Sequence, residues 1–333
     1  MKKLLFSSLC LFISTLAFSQ QAPQFTQFMQ TGNILNPALT GINRYTDVKL
    51  GYRKQWTGIS NAPTTFFASV SGEFGNVEPS LSLPVRGRLS SQFQTEKPPV
   101  KEGAKHALGG YIIADQTSPT AMNIGNLSYA IHFRLNSTLK LSAGVGLSVS
   151  QTSLNRDKLN VSTKSDPGIG NGVNSKLNPD LNSGVFLYSD RFFAGYSANF
   201  LFRNEIYSLS DNKTLVGTQK IHHYGVLGFK LDLGPDWHAV PSVMVKYVDG
   251  APASIDGNLR IGYKELLWFG PSFRNQDSFS AFAGFHISNF VSLSYAYDYT
   301  YSSLNTASNG SHELILGLRL MRSGVNFSRP TMW

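Results

Sequence analysis

Histidine next to glutamate (His312-Glu313) and paired histidines (His222-His223) are the residue types that ligate metals or move protons. Both pairs lie in stretches where apolar residues recur at every second position. Neighbours there point to opposite faces, so neither pair converges on one ion. No nearby residue restores a ligand set, and the histidines read as ordinary wall residues. Serine and histidine are both present, but no motif fixes a Ser–His pair with an orienting partner, as a barrel hydrolase needs. The single cysteine, Cys10, lies in an N-terminal apolar run. Its loss with that run removes disulfides, thiol catalysis and thiolate metal sites together. These residues predict a protein that is not an enzyme and holds no cofactor and no metal.

Charge is more informative. Arg134, Lys140, Asp256, Arg260, Asp298, Glu313 and Arg319 alternate with apolar residues and so share the face opposite to them. If the apolar face meets lipid, these side chains point into a lumen. Their mixed signs favour internal salt bridging over a permeation path of one sign. Gly144, Gly146, Gly262, Gly270 and Gly317 either allow close approach of luminal segments or relieve curvature in the wall.

Long strands must position these residues. Val291 to Thr300 alternates over ten residues, as do Leu314, Leu316, Leu318 and Leu320 against Glu313, Ile315, Gly317 and Arg319. A membrane-crossing strand needs about nine to eleven residues, whereas soluble strands average about five or six. Fourteen such segments follow one another between Asp47 and Leu320. An open sheet of that size leaves edges and an uncovered apolar face; closure removes the edges and lipid covers the face. The expectation is an all-β fold, a single closed antiparallel transmembrane β-barrel of about fourteen strands. Pro271 falls inside the eleventh segment and predicts a bulge there.

Residues 1–19 read as a cleaved signal peptide: Lys2 and Lys3, an apolar run, and Ala17-Phe18-Ser19 before Gln20. No other stretch is long and apolar enough for a helical span. Charged residues make up 15% of the chain, low against the usual quarter or so. The formal charge of +9 falls to +7 without Lys2 and Lys3 and is scattered, which argues against nucleic acid as a partner. Membrane lipid is the partner this composition implies, and the cell outer membrane the location.

Residues 20–45 carry Phe25, Phe28, Met29, Ile34, Leu35 and Leu39, which need cover. This segment is expected to plug the lumen or cap its periplasmic mouth, the barrel wall then running over 46–320. Tight turns such as Asn136-Ser137 and Ser288-Asn289 follow even-numbered strands, and longer connections such as Gln151 to Asp180 follow odd ones. Short periplasmic turns and long outer loops put both termini in the periplasm. The connection 75–106 breaks that rule; it is either a second periplasmic segment or hides a strand pair around Leu81 to Phe93, making sixteen. A tail, 321–333, follows the last strand.

Both ends of the chain resemble a known family. Gln24-Phe25-Thr26-Gln27-Phe28-Met29, Leu35-Asn36-Pro37-Ala38-Leu39-Thr40-Gly41 and Tyr52-Arg53-Lys54-Gln55-Trp56-Thr57-Gly58-Ile59 look like the opening of the PorP/SprF family. That is an outer-membrane family of Bacteroidota tied to type IX secretion and gliding motility. Leu267-Trp268-Phe269-Gly270, Ser294 to Thr300 and Ser311-His312-Glu313-Leu314 are similar to its closing segments. Ala22 and Phe28 depart mildly from residues common in the family, and the tail beyond Leu320 is a larger departure.

The resemblance implies a non-enzymatic barrel that helps deliver or anchor a large cell-surface adhesin through the adhesin's C-terminal domain. It implies as partners the adhesin or the periplasmic ring and motor-linked proteins of the type IX system. The alternative is a fourteen-stranded channel or transporter for small apolar solutes with an N-terminal plug. Candidate plug, lumen or partner-contacting residues are Phe25, Phe28, Met29, Asn36, Pro37, Arg53, Trp56, Arg134, Arg260, Asp298, Glu313 and Arg319.

Overall fold

The computed structural model describes residues 23–43, 45–74, 104–158, 173–208, 216–264 and 266–320. Its wall strands are β1 (Thr46–Lys54), β2 (Thr64–Phe74), β3 (Lys105–Thr117), β4 (Thr120–Arg134), β5 (Lys140–Asn155), β6 (Val173–Tyr188) and β7 (Phe192–Asn199). They continue with β8 (His222–Phe229), β9 (Trp237–Val248), β10 (Ser254–Tyr263), β11 (Leu267–Arg274), β12 (Ser278–His286), β13 (Val291–Thr300) and β14 (Ser311–Leu320). Each pairs antiparallel with the next, and β1 pairs with β14 from Thr46↔Leu320 to Lys54↔His312. The result is a closed ring of fourteen strands, with Leu231–Asp232 as a short addition beside β9.

The sixteen-strand alternative fails because β2 pairs directly with β3, from Thr64↔Gln116 to Phe74↔His106, leaving no gap in the ring. The residues proposed for the extra pair lie outside the described residues, as do the signal peptide, the tail and nearly all of the 75–106 connection.

The structure moves two other boundaries. The ladder between β5 and β6 continues up to Asn155↔Val173, so much of the expected loop from Gln151 to Asp180 is strand. At sixteen residues each, β5 and β6 reach roughly 50 Å at about 3.3 Å per residue, more than a hydrocarbon core requires even with tilt. The connection from Arg203 to Ile221 contains a short hairpin, Glu205–Ser208 with Val216–Thr218. Pro271 causes no bulge: the β10–β11 register is the same at Asn258↔Ser272 and Ile261↔Phe269, and only the ladder between them is interrupted.

The wall is apolar outside, with Leu127, Leu147 and Ile112 largely exposed to the lipid side. Aromatic residues flank this band. Near the end that holds the β4–β5 and β6–β7 turns, Trp237 packs on Tyr263 and Phe192 on Phe229. Toward the opposite end, Phe273 packs on Phe279 and Tyr52 on Phe66. Such belts belong to the two interfaces of a membrane barrel. Three outward histidines sit among them, each bonded to a tyrosine hydroxyl: His106 to Tyr129, His223 to Tyr196 and His312 to Tyr295.

The apolar core is inside the barrel. Residues 23–43 carry one helical turn, α1 (Gly32–Leu35), and a 3-10 turn, Pro37–Leu39. Phe28, Met29 and Leu39 pack against inward Phe186, Phe193, Val240 and Met244. Phe25 and Ile34 join Phe67, Ile113, Ile124 and Ile315. The wall's inner face therefore carries apolar patches where these side chains lie against it.

Candidate functional site: the luminal segment and its anchors

Odd positions of β1 face inward, which aims Arg53 at β13 and β14. Arg53 Nη2 lies 2.6 Å from Asp298 Oδ2, and Nη1 lies 3.0 Å from Glu313 Oε2. All three side chains are at most 2% exposed. The same carboxylates hold the N-terminal segment. The Thr26 and Gln27 backbone N–H groups donate to Glu313 at 2.8 and 3.0 Å, and the Thr26 hydroxyl donates to Asp298 at 2.8 Å. Arg53 Nη1 also donates to Thr26 Oγ1 at 2.9 Å. Thr26 and Gln27 are thus part of the buried charge network.

A second group continues it. Arg274 donates from Nη2 to the Phe25 carbonyl at 3.3 Å and pairs with Asp256 at 3.2 Å and Asp277 at 3.0 Å. Lys246 pairs with Asp256 at 2.8 Å. Buried charges are tolerated when paired and hydrogen-bonded, whereas removing one partner typically costs roughly 3–5 kcal/mol.

The stretch Leu35 to Gly41 is fixed by polar contacts to four neighbouring strands. Asn36 Oδ1 accepts from the Ala38 N–H at 2.9 Å, closing the 3-10 turn. Asn36 Nδ2 donates to the carbonyls of Val185 on β6 and Tyr196 on β7 at 3.2 and 3.3 Å. Ser142 donates to the Ala38 carbonyl at 2.7 Å, Ser197 to the Leu35 carbonyl at 2.7 Å, and Thr40 bonds Ser128 at 2.9 Å. His132 on β4 bridges the Thr40 carbonyl at 2.9 Å and the Tyr188 hydroxyl at 3.0 Å. These bonds satisfy backbone groups that a strandless buried segment would otherwise leave unpaired.

Glycine makes this approach possible. A Cβ on Gly144 would lie 2.4 Å from the Pro37 carbonyl carbon, and one on Gly184 would lie 2.0 Å from Asn36 Oδ1. Gly41, at φ +65°, takes a left-handed turn against Ala107 and Gly72. Of the five inward glycines expected from the sequence, Gly144 meets the N-terminal segment. Gly146, Gly262, Gly270 and Gly317 instead face wall groups, including Asn126, His238, Leu259 and Ser292 respectively.

The predicted residues divide accordingly. Phe25, Phe28, Met29, Asn36, Pro37, Arg53, Asp298 and Glu313 come together in the lumen. Arg260 and Arg319 face a separate luminal region, over the rings of Trp268 and Tyr45. Trp56, at φ 45°, lies beyond β1, where its N–H donates to Ser311 Oγ at 3.0 Å. Arg134 departs from its expected luminal position. It is exposed at the β4–β5 turn and donates to the Asn136 and Ser137 carbonyls at 3.2 and 3.3 Å, because β4 ends there.

Sequence reasoning passed over His132, Arg274, Lys246, Ser142 and Ser197. Their signal was position on an inward register, which does not say what lies across from them. Among the described residues no group of three or more His, Cys, Asp or Glu could hold a metal ion.

A family model described as "Type IX secretion system membrane protein PorP/SprF" matches residues 17–318. No curated protein matches the chain significantly. Among solved structures, the CymD monoaromatic hydrocarbon channel is similar at TM-score 0.48 and 11% identity, over 88% of this chain and 93% of that one. A FadL homologue of Pseudomonas aeruginosa gives TM-score 0.47 at 10% identity, over 85% and 91%. The P. putida toluene transporter TodX gives 0.45 at 9%, over 86% and 93%. Scores below one half leave the cargo of those proteins without bearing on this chain.

Proposed function

The chain belongs to the PorP/SprF family of type IX secretion system membrane proteins, and from that premise we propose that it works as a plugged barrel. It is a non-enzymatic outer-membrane β-barrel. In the proposal, the N-terminal segment of residues 20–45 keeps the lumen closed while the wall of 46–320 serves the type IX machinery as an attachment platform. The observation that carries this reading is the seating of Thr26 and Gln27 on Glu313, which Arg53 holds in place from the opposite side of the seam.

Both termini face the periplasm in this reading. The short turns at 135–139, 189–191 and 287–290 lie at the end where β1 begins and β14 finishes, which supports it. The longest described strands, β5 and β6, project at the other end and offer a platform outside the cell. There the barrel delivers or holds a large adhesin through its C-terminal domain, while periplasmic ring and motor-linked proteins meet the terminal end and the 321–333 tail. Gentle extraction from native membranes followed by mass spectrometry tests this. Co-purification of a surface adhesin supports it; a barrel recovered alone counts against it.

A second reading, a channel for small apolar solutes, has one observation in its favour. Phe186, Phe193, Tyr224, Val240 and Met244 give the lumen an apolar cluster that an apolar solute would wet. Here the N-terminal segment would have to shift to admit cargo. Uptake of apolar solutes by intact cells, with and without the protein, separates the two readings.

A further inference from the structure

A second polar region occupies the lumen near the end where β1 begins and β14 finishes. Lys49, Arg260, Arg319, His286 and Asp47 line a cavity of about 50 Å³ bounded by Tyr45 and Trp268. Among the described residues that line it, Lys49, Arg260 and Arg319 are basic and Asp47 alone is acidic, and Lys49 engages that carboxylate at 3.1 Å. Both guanidinium groups are held by aromatic rings: Arg260 lies 4.9 Å from the Trp268 centroid and Arg319 lies 5.3 Å from that of Tyr45. Stacking fixes the plane of an arginine and so sets the direction in which its N–H groups donate.

The proton positions follow from one bond. Arg319 Nη2 lies 2.8 Å from His286 Nε2, and a guanidinium can only donate. His286 Nε2 must therefore be the acceptor, which places the proton of the neutral ring on Nδ1. That Nδ1–H and the Arg319 Nε–H are both buried without a hydrogen-bond partner among the described residues. Buried donors are rarely left unpaired, and each needs an account. A cavity lined by basic residues, two of which carry an unpaired buried donor, is complementary to an oxyanion.

We propose that this cavity binds a small soluble oxyanion, of the carboxylate or phosphate type, between Arg260, Arg319, Lys49 and His286 Nδ1. Its position behind the wall keeps lipid headgroups away, and its size admits one such group. The N-terminal segment closes one side of this cavity through Gln30, Asn33 and Asn43, and the proposal does not rest on what the barrel secretes or anchors.

Thermal unfolding of the full chain in detergent tests it, with sodium phosphate or sodium acetate titrated against sodium chloride at constant ionic strength. A ligand that binds the folded state alone raises the midpoint with its concentration. The expected result is a saturable rise with phosphate or acetate and none with chloride, the responding anion naming the type. Arg319→Gln should weaken the apparent affinity at least tenfold. Should that variant fail to fold, crystals of the unaltered chain soaked in selenate give the decision through an anomalous peak between Arg260 and Arg319. No saturable rise with either oxyanion, an unchanged affinity in Arg319→Gln, or no selenate peak in the cavity would overturn the proposal.

Discussion

Arg53 and Glu313 stand directly opposite each other across the seam between the first and last strands, their side chains joined at 3.0 Å inside the barrel. The carboxylate that meets Arg53 across the closing seam therefore also seats the N-terminal segment, since Glu313 accepts from Thr26 and Gln27 as well. Closure of the wall and filling of the lumen share one carboxylate.

Glu313→Gln keeps the shape and removes the charge, leaving Arg53 paired with Asp298 alone. A loss of about 2–4 kcal/mol is expected, on the scale for breaking one member of a buried ion network. Urea unfolding of the purified barrel measures it. In a double-mutant cycle, Glu313→Gln with Arg53→Met should show coupling of at least about 1 kcal/mol. Additive effects would mean that the two residues act separately.

Gly144→Val places a branched side chain where the Pro37 backbone now lies, so the Leu35–Gly41 turn must leave its seat. The wall should still form, because the strand ladder gains a residue of good strand propensity. A thiol introduced at Thr40, which is fully buried, would react slowly with a maleimide in the native chain and at least tenfold faster with Gly144→Val. Equal rates would contradict the packing described.

Much of the wall was legible in the sequence, and little of its interior. Period two placed all fourteen strands, because lipid demands an uninterrupted apolar face. It also set the faces correctly for Leu314, Leu316, Leu318 and Leu320 against Glu313 and Arg319. What alternation cannot encode is contact across a lumen. Phe67, Phe186 and Phe193 sit on the inward face among small and polar residues, a break in pattern that marks where Phe25, Phe28 and Leu39 pack. Ser142, Ser197 and His132 give no such sign, since a luminal polar residue reads alike whether it meets water or a backbone carbonyl. Arg134 was misplaced for the opposite reason: register gave the direction it faces, but not that the strand stops beside it.

His132→Ala removes the bridge between the Thr40 carbonyl and the Tyr188 hydroxyl and leaves both buried groups short of a partner. A cost of roughly 1–3 kcal/mol is expected, with the loss confined to the N-terminal segment. Hydrogen exchange would show it as faster exchange within residues 36–41 and little change in β13. Protection unchanged over 36–41 would remove His132 from the account.

Leu127→Arg puts a charge on the most exposed part of the lipid face and should destabilise the barrel by about 2–4 kcal/mol. Arg134→Leu, at the exposed β4–β5 turn, should change stability by less than about 0.5 kcal/mol. Refolding into lipid vesicles compares the pair. Similar costs for both would mean that the membrane boundary has been drawn wrongly.

Planar-bilayer conductance of the purified chain, before and after deletion of residues 23–41, tests the plugged lumen most directly. The account predicts almost no conductance for the full chain and steady open-pore steps for the deleted one. A full chain that conducts as well as the deletion would contradict it.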